Sequence, residues 1–292
     1  MRFAGTVVLY NPEKEILKNM QSYLPFIDTL YVMDNSTKEY DFLEDIKKIK
    51  KVKYISLDGN KGIAKALKVA TETAISDGFD FLLSMDQDSK FPTEDFKFVE
   101  EYLKNNDTSN LGIIAINYTG NSFGELSKDK LKVIEINDSI TSGSFLNLSN
   151  YKVIDGYNED LFIDYVDYDI SYQFREKDLK ILLLPNIMLE HKLGNTKNVK
   201  FLFYKREIVV HSPLRYYYMY RNYTYLLNTK SEKYVKFLLE RKADFSLKFK
   251  VRRFLFEKPH FKILKMINRG IRDGKKGILG PYQEKRGKQW KF

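Results

Sequence analysis

Cysteine is absent from the 292 residues, which excludes disulfides, thiolate zinc sites and a cysteine nucleophile. Any metal must therefore be held by oxygen or by one of only three histidines. Nowhere does the chain reach the roughly 18 to 20 uninterrupted apolar residues of a membrane-spanning helix. Its start, MRFAGTVVLY, enters strand-like sequence without the pattern of a signal peptide. These absences lead to the expectation of a cytoplasmic protein. Internal repeats and low-complexity tracts are missing as well, so one catalytic domain with an appended element is the simplest organisation.

What is present is a core-forming composition, with 43% hydrophobic and 15% aromatic residues. The net charge of +10 is unevenly placed. Residues 241–292 carry 17 Lys or Arg against 4 Asp or Glu, a balance of +13, which leaves residues 1–240 at −3. A slightly acidic body thus ends in a strongly basic tail, which is either a solvated Lys-rich helix or a surface for phosphate-bearing partners such as anionic lipid headgroups.

From residue 3 to about 117, short apolar runs alternate with amphipathic stretches: FAGTVVLY, EKEILKNMQSYL, TLYVMD, KVKYISL, GIAKALKVATETAISD, FDFLLSMD. Ile16, Met20 and Leu24 recur at helical spacing, as do Ile63, Leu67, Ala70 and Ala74. This rhythm predicts a mostly parallel α/β sheet with helices on both faces, of Rossmann-like type. Ligands in such sheets gather beyond the carboxyl ends of the strands, which makes Asn11, Asp34, Asp58, Asn60, Asp86 and Asp88 candidates to converge there. Residues 131–148 read as two further strands and 165–178 as a helix starting near Asp164. Residues 212–229, 231–245 and 246–270 read as helices. The boundary falls near 205, giving a catalytic domain at 1–205 and a helical, basic extension at 206–292.

Four groups carry candidate chemistry. Asp86-Gln87-Asp88 follows the apolar run Phe79–Met85; a strand continuing through it would put both carboxylates on one side, suited to a hard cation that also grips a diphosphate. A solvated turn is the structural alternative. Asp164, Asp167 and Asp169 stand at a helix start, where acids favour the dipole, but three in six residues exceed what a cap needs and offer a general base. His191 closes the apolar run Ile181–Leu189, as a satisfied polar residue or as a metal ligand. Arg215-Tyr216-Tyr217-Tyr218-Met219-Tyr220-Arg221-Asn222 is either aromatic core with flanking arginines or a source of guanidinium groups for a diphosphate.

Taken together, these segments resemble the family 2 glycosyltransferases, and within them the bacterial rhamnosyltransferase-like group. The likeness runs from Thr6 to about Asn222 and rests on VVLYNP, DNS, NKGIAKAL, DQDS, SGSF, LFIDYVDYDISYQFR, HKLGN and RYYYMYRN, in the family's order. It implies a GT-A fold. By that resemblance Tyr10 and Asn11 line the base pocket, Asp34 reads the pyrimidine, Asn60 belongs to the donor motif, and Gly62 lets the chain pass close to the nucleotide. Asp86 would sit by the ribose and sugar, Asp88 would hold Mg²⁺ or Mn²⁺ with His191 as the additional ligand, and Arg215 or Arg221 would meet the diphosphate. Asp167 matches the family's base, while Ser142, Gly143 and Asp164 fall on the acceptor side. The chain departs from many relatives at Lys68-Val69-Ala70 and at Gln173, where an arginine is often found.

The function so implied is metal-dependent, inverting transfer of a sugar, with L-rhamnose from dTDP-rhamnose the first choice. The acceptor would be a glycan or lipid-linked glycan of bacterial surface polysaccharide, met at the inner membrane face through the basic tail. A homodimer is compatible with this reading. The alternatives are a donor such as a UDP-hexose or UDP-galactofuranose and, from another class, a non-catalytic basic module that binds membrane or nucleic acid. Nucleic acid is disfavoured because it leaves the acids at the strand ends unexplained.

Overall fold

The computed structural model describes residues 1–119, 129–191, 196–201, 204–240 and 259–284, with backbone alone for 191, 196–201 and 204–209. Its first half follows the alternation read from the sequence: β1 (Phe3–Leu9), α1 (Ile16–Gln21), β2 (Thr29–Asp34), α2 (Leu43–Lys47), β3 (Val52–Ser56), α3 (Ile63–Ser76) and β4 (Phe81–Asp86). The helical spacing through Leu24 breaks early. Pro25 cannot continue α1, and a 3-10 turn at Leu24–Phe26 takes over. The second half contributes β5 (Ser89–Lys90), α4 (Phe96–Asn105), β6 (Leu111–Tyr118), β7 (Ile134–Glu135), β8 (Ser144–Asn147), α5 (Leu148–Tyr151), α6 (Val166–Glu176) and β9 (Lys180–His191).

The strands lie in the order β3-β2-β1-β4-β8-β6-β9-β5, with β7 beside β9. Six of them run the same way, while the short β5, β7 and β8 run against them. The sheet is therefore mostly parallel, as expected, with short reversed strands where the chain doubles back.

Period-two alternation sorts the strand residues onto two faces. Phe3, Val7, Leu30, Val32, Phe81 and Leu83 pack against Ile16, Met20, Phe96 and Val99 of α1 and α4. Ala4, Tyr31, Met33 and Leu82 pack against Ala66, Leu67 and Ala70 of α3 and Ile170 and Phe174 of α6. Burying large side chains such as these contributes about 1.5–3 kcal/mol each before chain entropy opposes it. Helices thus cover both faces.

Beyond the sheet, β10 (Thr196–Phe201) and β11 (Tyr204–Val209) form an antiparallel hairpin. Then come α7 (Pro213–Thr229), α8 (Glu232–Glu240) and α9 (His260–Lys275). Helix α7 starts on a Ser212 side-chain cap and lies against α9 where Gly270 and Gly274 leave no side chain to hold the backbones apart. The expected helix over 246–270 falls partly outside the described residues, and α9 runs on to Lys275. Among the described residues no helix is long and apolar enough to cross a membrane.

Candidate active site

Three strands bring their ends together. Leu9 is paired with Asp34 and Val8 with Asp86, so the carboxylates that close β2 and β4 flank the end of β1. Just past β1, Asn11 takes a left-handed conformation at φ 46°, which its short polar side chain tolerates. The side-chain Oδ1 of Asn11 then accepts the backbone N–H groups of Thr37 and Lys38 at 3.0 and 3.1 Å. The two loops are thereby tied, with Asn11 on the wall of a cleft of about 610 Å³. Tyr10 beside it is 47% exposed.

Asp34 is buried, and its Oδ2 accepts the hydroxyls of Tyr40 and Tyr54 at 2.8 and 2.7 Å while Oδ1 accepts the Ser36 N–H at 2.8 Å. Burial works against its ionisation, yet the bonds from Ser36, Tyr54 and Tyr40 outweigh it and hold the carboxyl below its ordinary value. Neither tyrosine was singled out in the sequence; they lie 6 and 20 residues away on different elements.

The Asp86-Gln87-Asp88 geometry differs from the expected one. Strand β4 ends at Asp86, and Gln87 and Asp88 form a turn, so strand alternation does not align the two acids. The turn is anchored instead: Gln87 Oε1 accepts the Tyr10 N–H at 2.8 Å, and Asn19 donates to the Gln87 carbonyl at 2.9 Å. Asp88 is left exposed on the wall of the 610 Å³ cleft, with Arg215, His211 and Ser212 from the start of α7 also lining it. Gln87, Asn19 and His211 went unnoticed in the sequence; only the central position of DQDS hinted at the first. Asp86 extends the even-numbered face of β4, the α6 side, and its charge is felt by Asp167.

Asp167, in the first turn of α6, has its carboxyl pushed up to about 6 by burial, with the charges of Asp164 and Asp86 adding to the effect and the Tyr168 N–H opposing it. Asp164 is also raised by burial, against the pull of Arg215, whose Nε donates to Asp164 Oδ1 at 3.1 Å. Asp169 turns away. Buried, it receives Gln173, Tyr234 and Lys230 at 2.9, 3.1 and 3.3 Å, a structural network in which Gln173 serves in place of an arginine.

Several expected contacts are corrected by what the side chains touch. Arg221 does not face the cleft; it is completely buried and donates to the carbonyls of Asp160 and Leu161, so it has no reach to a diphosphate. Gly62, at φ 88°, is crowded by the protein itself, since a Cβ there would meet the Phe162 carbonyl at 2.5 Å. Asn60 Oδ1 accepts the Gly62 N–H at 3.0 Å in the turn that opens α3. Ser142 and Gly143 are not on an acceptor surface. The buried Ser142 hydroxyl accepts the Asp86 N–H at 3.0 Å, and a Cβ on Gly143 would strike Ile116. Both hold the end of β4 in place.

The side chain of His191 lies outside the described residues; its backbone pairs with Ser89, next to Asp88. Among the described residues no three acidic or histidine side chains converge on one point.

A profile of the family described as Glycosyl transferase family 2 matches residues 6–155. The chain belongs to this family. As a family 2 glycosyltransferase it is 28% identical to the dTDP-rhamnosyl transferase RfbF of Shigella flexneri, over 94% of this chain and 96% of that one. Among solved structures, S. aureus TarS residues 1–349 in complex with UDP-GlcNAc is similar with a TM-score of 0.60 and 17% identity, over 95% of this chain and 82% of that one. GalNAc-T7 with UDP, GalNAc and Mn²⁺ gives a TM-score of 0.60 at 13% identity, over 91% and 57%. In another structure of S. aureus TarS, the likeness spans 91% of this chain and 49% of that one, with a TM-score of 0.57. These neighbours establish the GT-A fold of this glycosyltransferase.

Proposed function

We infer that this glycosyltransferase moves L-rhamnose from dTDP-rhamnose, with inversion, to a hydroxyl of a glycan or lipid-linked glycan acceptor in the making of bacterial surface polysaccharide. The observation that carries the chemistry is Asp167: a carboxyl in the first turn of α6, sharing a small cavity with Ser84 of β4 and pushed up to about 6, is ionised at neutral pH yet basic enough to accept a proton. The near full-length likeness to RfbF supports the donor.

In the reaction the acceptor hydroxyl oxygen forms a bond to the anomeric carbon as the bond from that carbon to the diphosphate breaks. The hydroxyl proton passes to Asp167. Arg215, on the cleft wall, is suited to the departing diphosphate, since a guanidinium matches phosphate oxygens. Asn11 and Asp34 frame the base, and Asp34 retains acceptor capacity for a pyrimidine N–H. The oxygens of Asp88, exposed in the cleft, fit a hard cation that completes its shell with diphosphate oxygens, and His191 is a further candidate ligand. Bound Mg²⁺ or Mn²⁺ would supply charge stabilisation for the leaving group.

The test is a donor panel of dTDP-rhamnose, UDP-glucose, UDP-galactofuranose and UDP-GlcNAc, assayed with EDTA and with added Mn²⁺. Turnover of dTDP-rhamnose that EDTA stops and Mn²⁺ restores is the expected result. Full activity in chelator would remove the metal, and selective turnover of a UDP-sugar would favour the second reading, a uridine donor, which the UDP complexes of TarS and GalNAc-T7 support.

The basic extension suits an acceptor at a membrane surface. Along one face of α9, Phe261 (80% exposed) stands with exposed Lys262, Lys265, Arg272 and Lys275, a pattern that favours anionic lipid. Sedimentation with phosphatidylglycerol vesicles checks this, with charge reversal at Lys262, Lys265 and Arg272 expected to abolish binding.

A further inference from the structure

Arg221 is the largest fully buried side chain among the described residues, and the carboxylates of Asp160 and Asp164 act on it through space rather than as hydrogen-bonded partners. Its guanidinium donates to the carbonyls of Asp160 at 3.1 Å, Leu161 at 2.8 Å and Gly280, and the rings of Tyr217 and Tyr218 lie 5.7 and 4.9 Å away. A cation taken out of water without a carboxylate bonded directly to it is costly to a fold. The arrangement therefore points to a use beyond stability.

That use is visible in the neighbouring residue. Arg221 Nε donates to Asn222 Oδ1 at 2.9 Å, which turns the amide N–H groups of Asn222 the other way. They donate to the carbonyls of Leu161, Ile163 and Asp164 at 2.9, 2.8 and 2.9 Å. Between them, the two side chains gather four carbonyls from residues 160–164. This stretch needs such help, because Phe162, Asp164 and Tyr165 all sit in the left-handed region at φ 65°, 65° and 68°. Side chains with a Cβ adopt that region at a cost, and the carbonyls of so irregular a stretch have no ladder to satisfy them.

We propose that Arg221 and Asn222 are positioning residues: a clamp on loop 160–165 that fixes where α6 begins, and so where Asp167 stands in its first turn and where Asp164 meets Arg215. The strap after α9 completes the clamp, since the Gly280 carbonyl accepts from Arg221 and the Gly280 N–H donates to Asp160 at 2.9 Å. The extension is thus part of the frame of the active site. The catalytic consequence rests on Asp167 as the base; the clamp itself does not.

Asn222→Ala in the full-length chain removes the donors to the loop, and Asn222→Ser keeps an acceptor for Arg221 and one donor. Arg221→Lys keeps the charge but not the fork. Hydrogen exchange, dTDP affinity and the kcat and KM for dTDP-rhamnose are measured for each. Expected for Asn222→Ala and Arg221→Lys is faster exchange confined to residues 160–169, kcat lowered about 30- to 100-fold, and dTDP affinity lowered by a smaller factor, with Asn222→Ser between. If Asn222→Ala does not fold, the serine variant decides by the same criteria. Unchanged exchange at 160–169 overturns the clamp, and faster exchange there with kcat intact overturns its role in transfer. Turnover by Asp167→Asn would instead sink the assignment of the base, and the exchange result would still judge the clamp.

Discussion

Asp167→Asn removes a charge while leaving an oxygen that can still accept the Tyr168 N–H, made at 3.0 Å in the parent. Burial, Asp164 and Asp86 push the native carboxyl up to about 6 from an ordinary 3.8. A folded pKa above the unfolded one means that the native state holds a proton which the unfolded chain releases between about pH 4 and 6. Stability therefore falls through that window and stays lowered above it. A shift of about two units corresponds to roughly 3 kcal/mol; because the side chain retains some contact with solvent, about 1–3 kcal/mol is expected. The assay is urea unfolding of nucleotide-free protein in EDTA from pH 4 to 8, beside transfer kinetics. Asp167→Asn should match the parent near pH 4, exceed it by about 1–3 kcal/mol at pH 7.5, and have lost transfer. A variant no more stable than the parent at pH 7.5 would refute the reasoning, since the carboxylate would then be stable as an ion where it stands. The same pKa predicts that transfer by the parent enzyme rises with pH through about 6, as Asp167 becomes able to take a proton.

Gly62→Ala should destabilise the fold by about 2–3 kcal/mol, because it adds a Cβ 2.5 Å from the Phe162 carbonyl at a left-handed φ; denaturant titration reads this. Tyr54→Phe removes one donor to Asp34 and should cost about 1–2 kcal/mol at neutral pH. Asp34 is held below its ordinary value in the folded state, so that loss should shrink as the pH falls and Asp34 protonates, which unfolding at pH 3 and 7 compares. Gly274→Ala places a Cβ 2.4 Å from the Arg221 carbonyl, so α9 must move off α7. A loss of about 1–3 kcal/mol with faster exchange at residues 260–284 is expected, and unaltered exchange there would contradict the packing.

Much of the architecture was legible from local pattern. Strand and helix periods differ, and acids such as Asp34 and Asp86 that end apolar strand runs must emerge at the sheet's carboxyl edge whatever else packs around them. The acid-rich start of α6 was visible for the same reason, because helix starts favour acids. The two arginines of RYYYMYRN look alike in sequence, yet Arg215 lines the cleft while Arg221 is buried under the loop that carries the acids. Their separation is a matter of which side of α7 meets residues 160–164, a contact between segments some 60 residues apart. Gly62 poses the same problem, since what crowds it is Phe162, a hundred residues on.

By itself, then, the order of side chains determined the sheet, its helical cover and the acids at the strand ends, because these follow from periodicity and from the chemistry of each residue with its near neighbours. Only the tertiary structure decided that Asp88 lies on a turn, that Ser142 holds Asp86, that Asp164 pairs with Arg215, and that Asp167 sits where burial raises its pKa. Those outcomes depend on which distant surfaces exclude water and which donors meet which carbonyls, and neither is written in any local stretch of the chain.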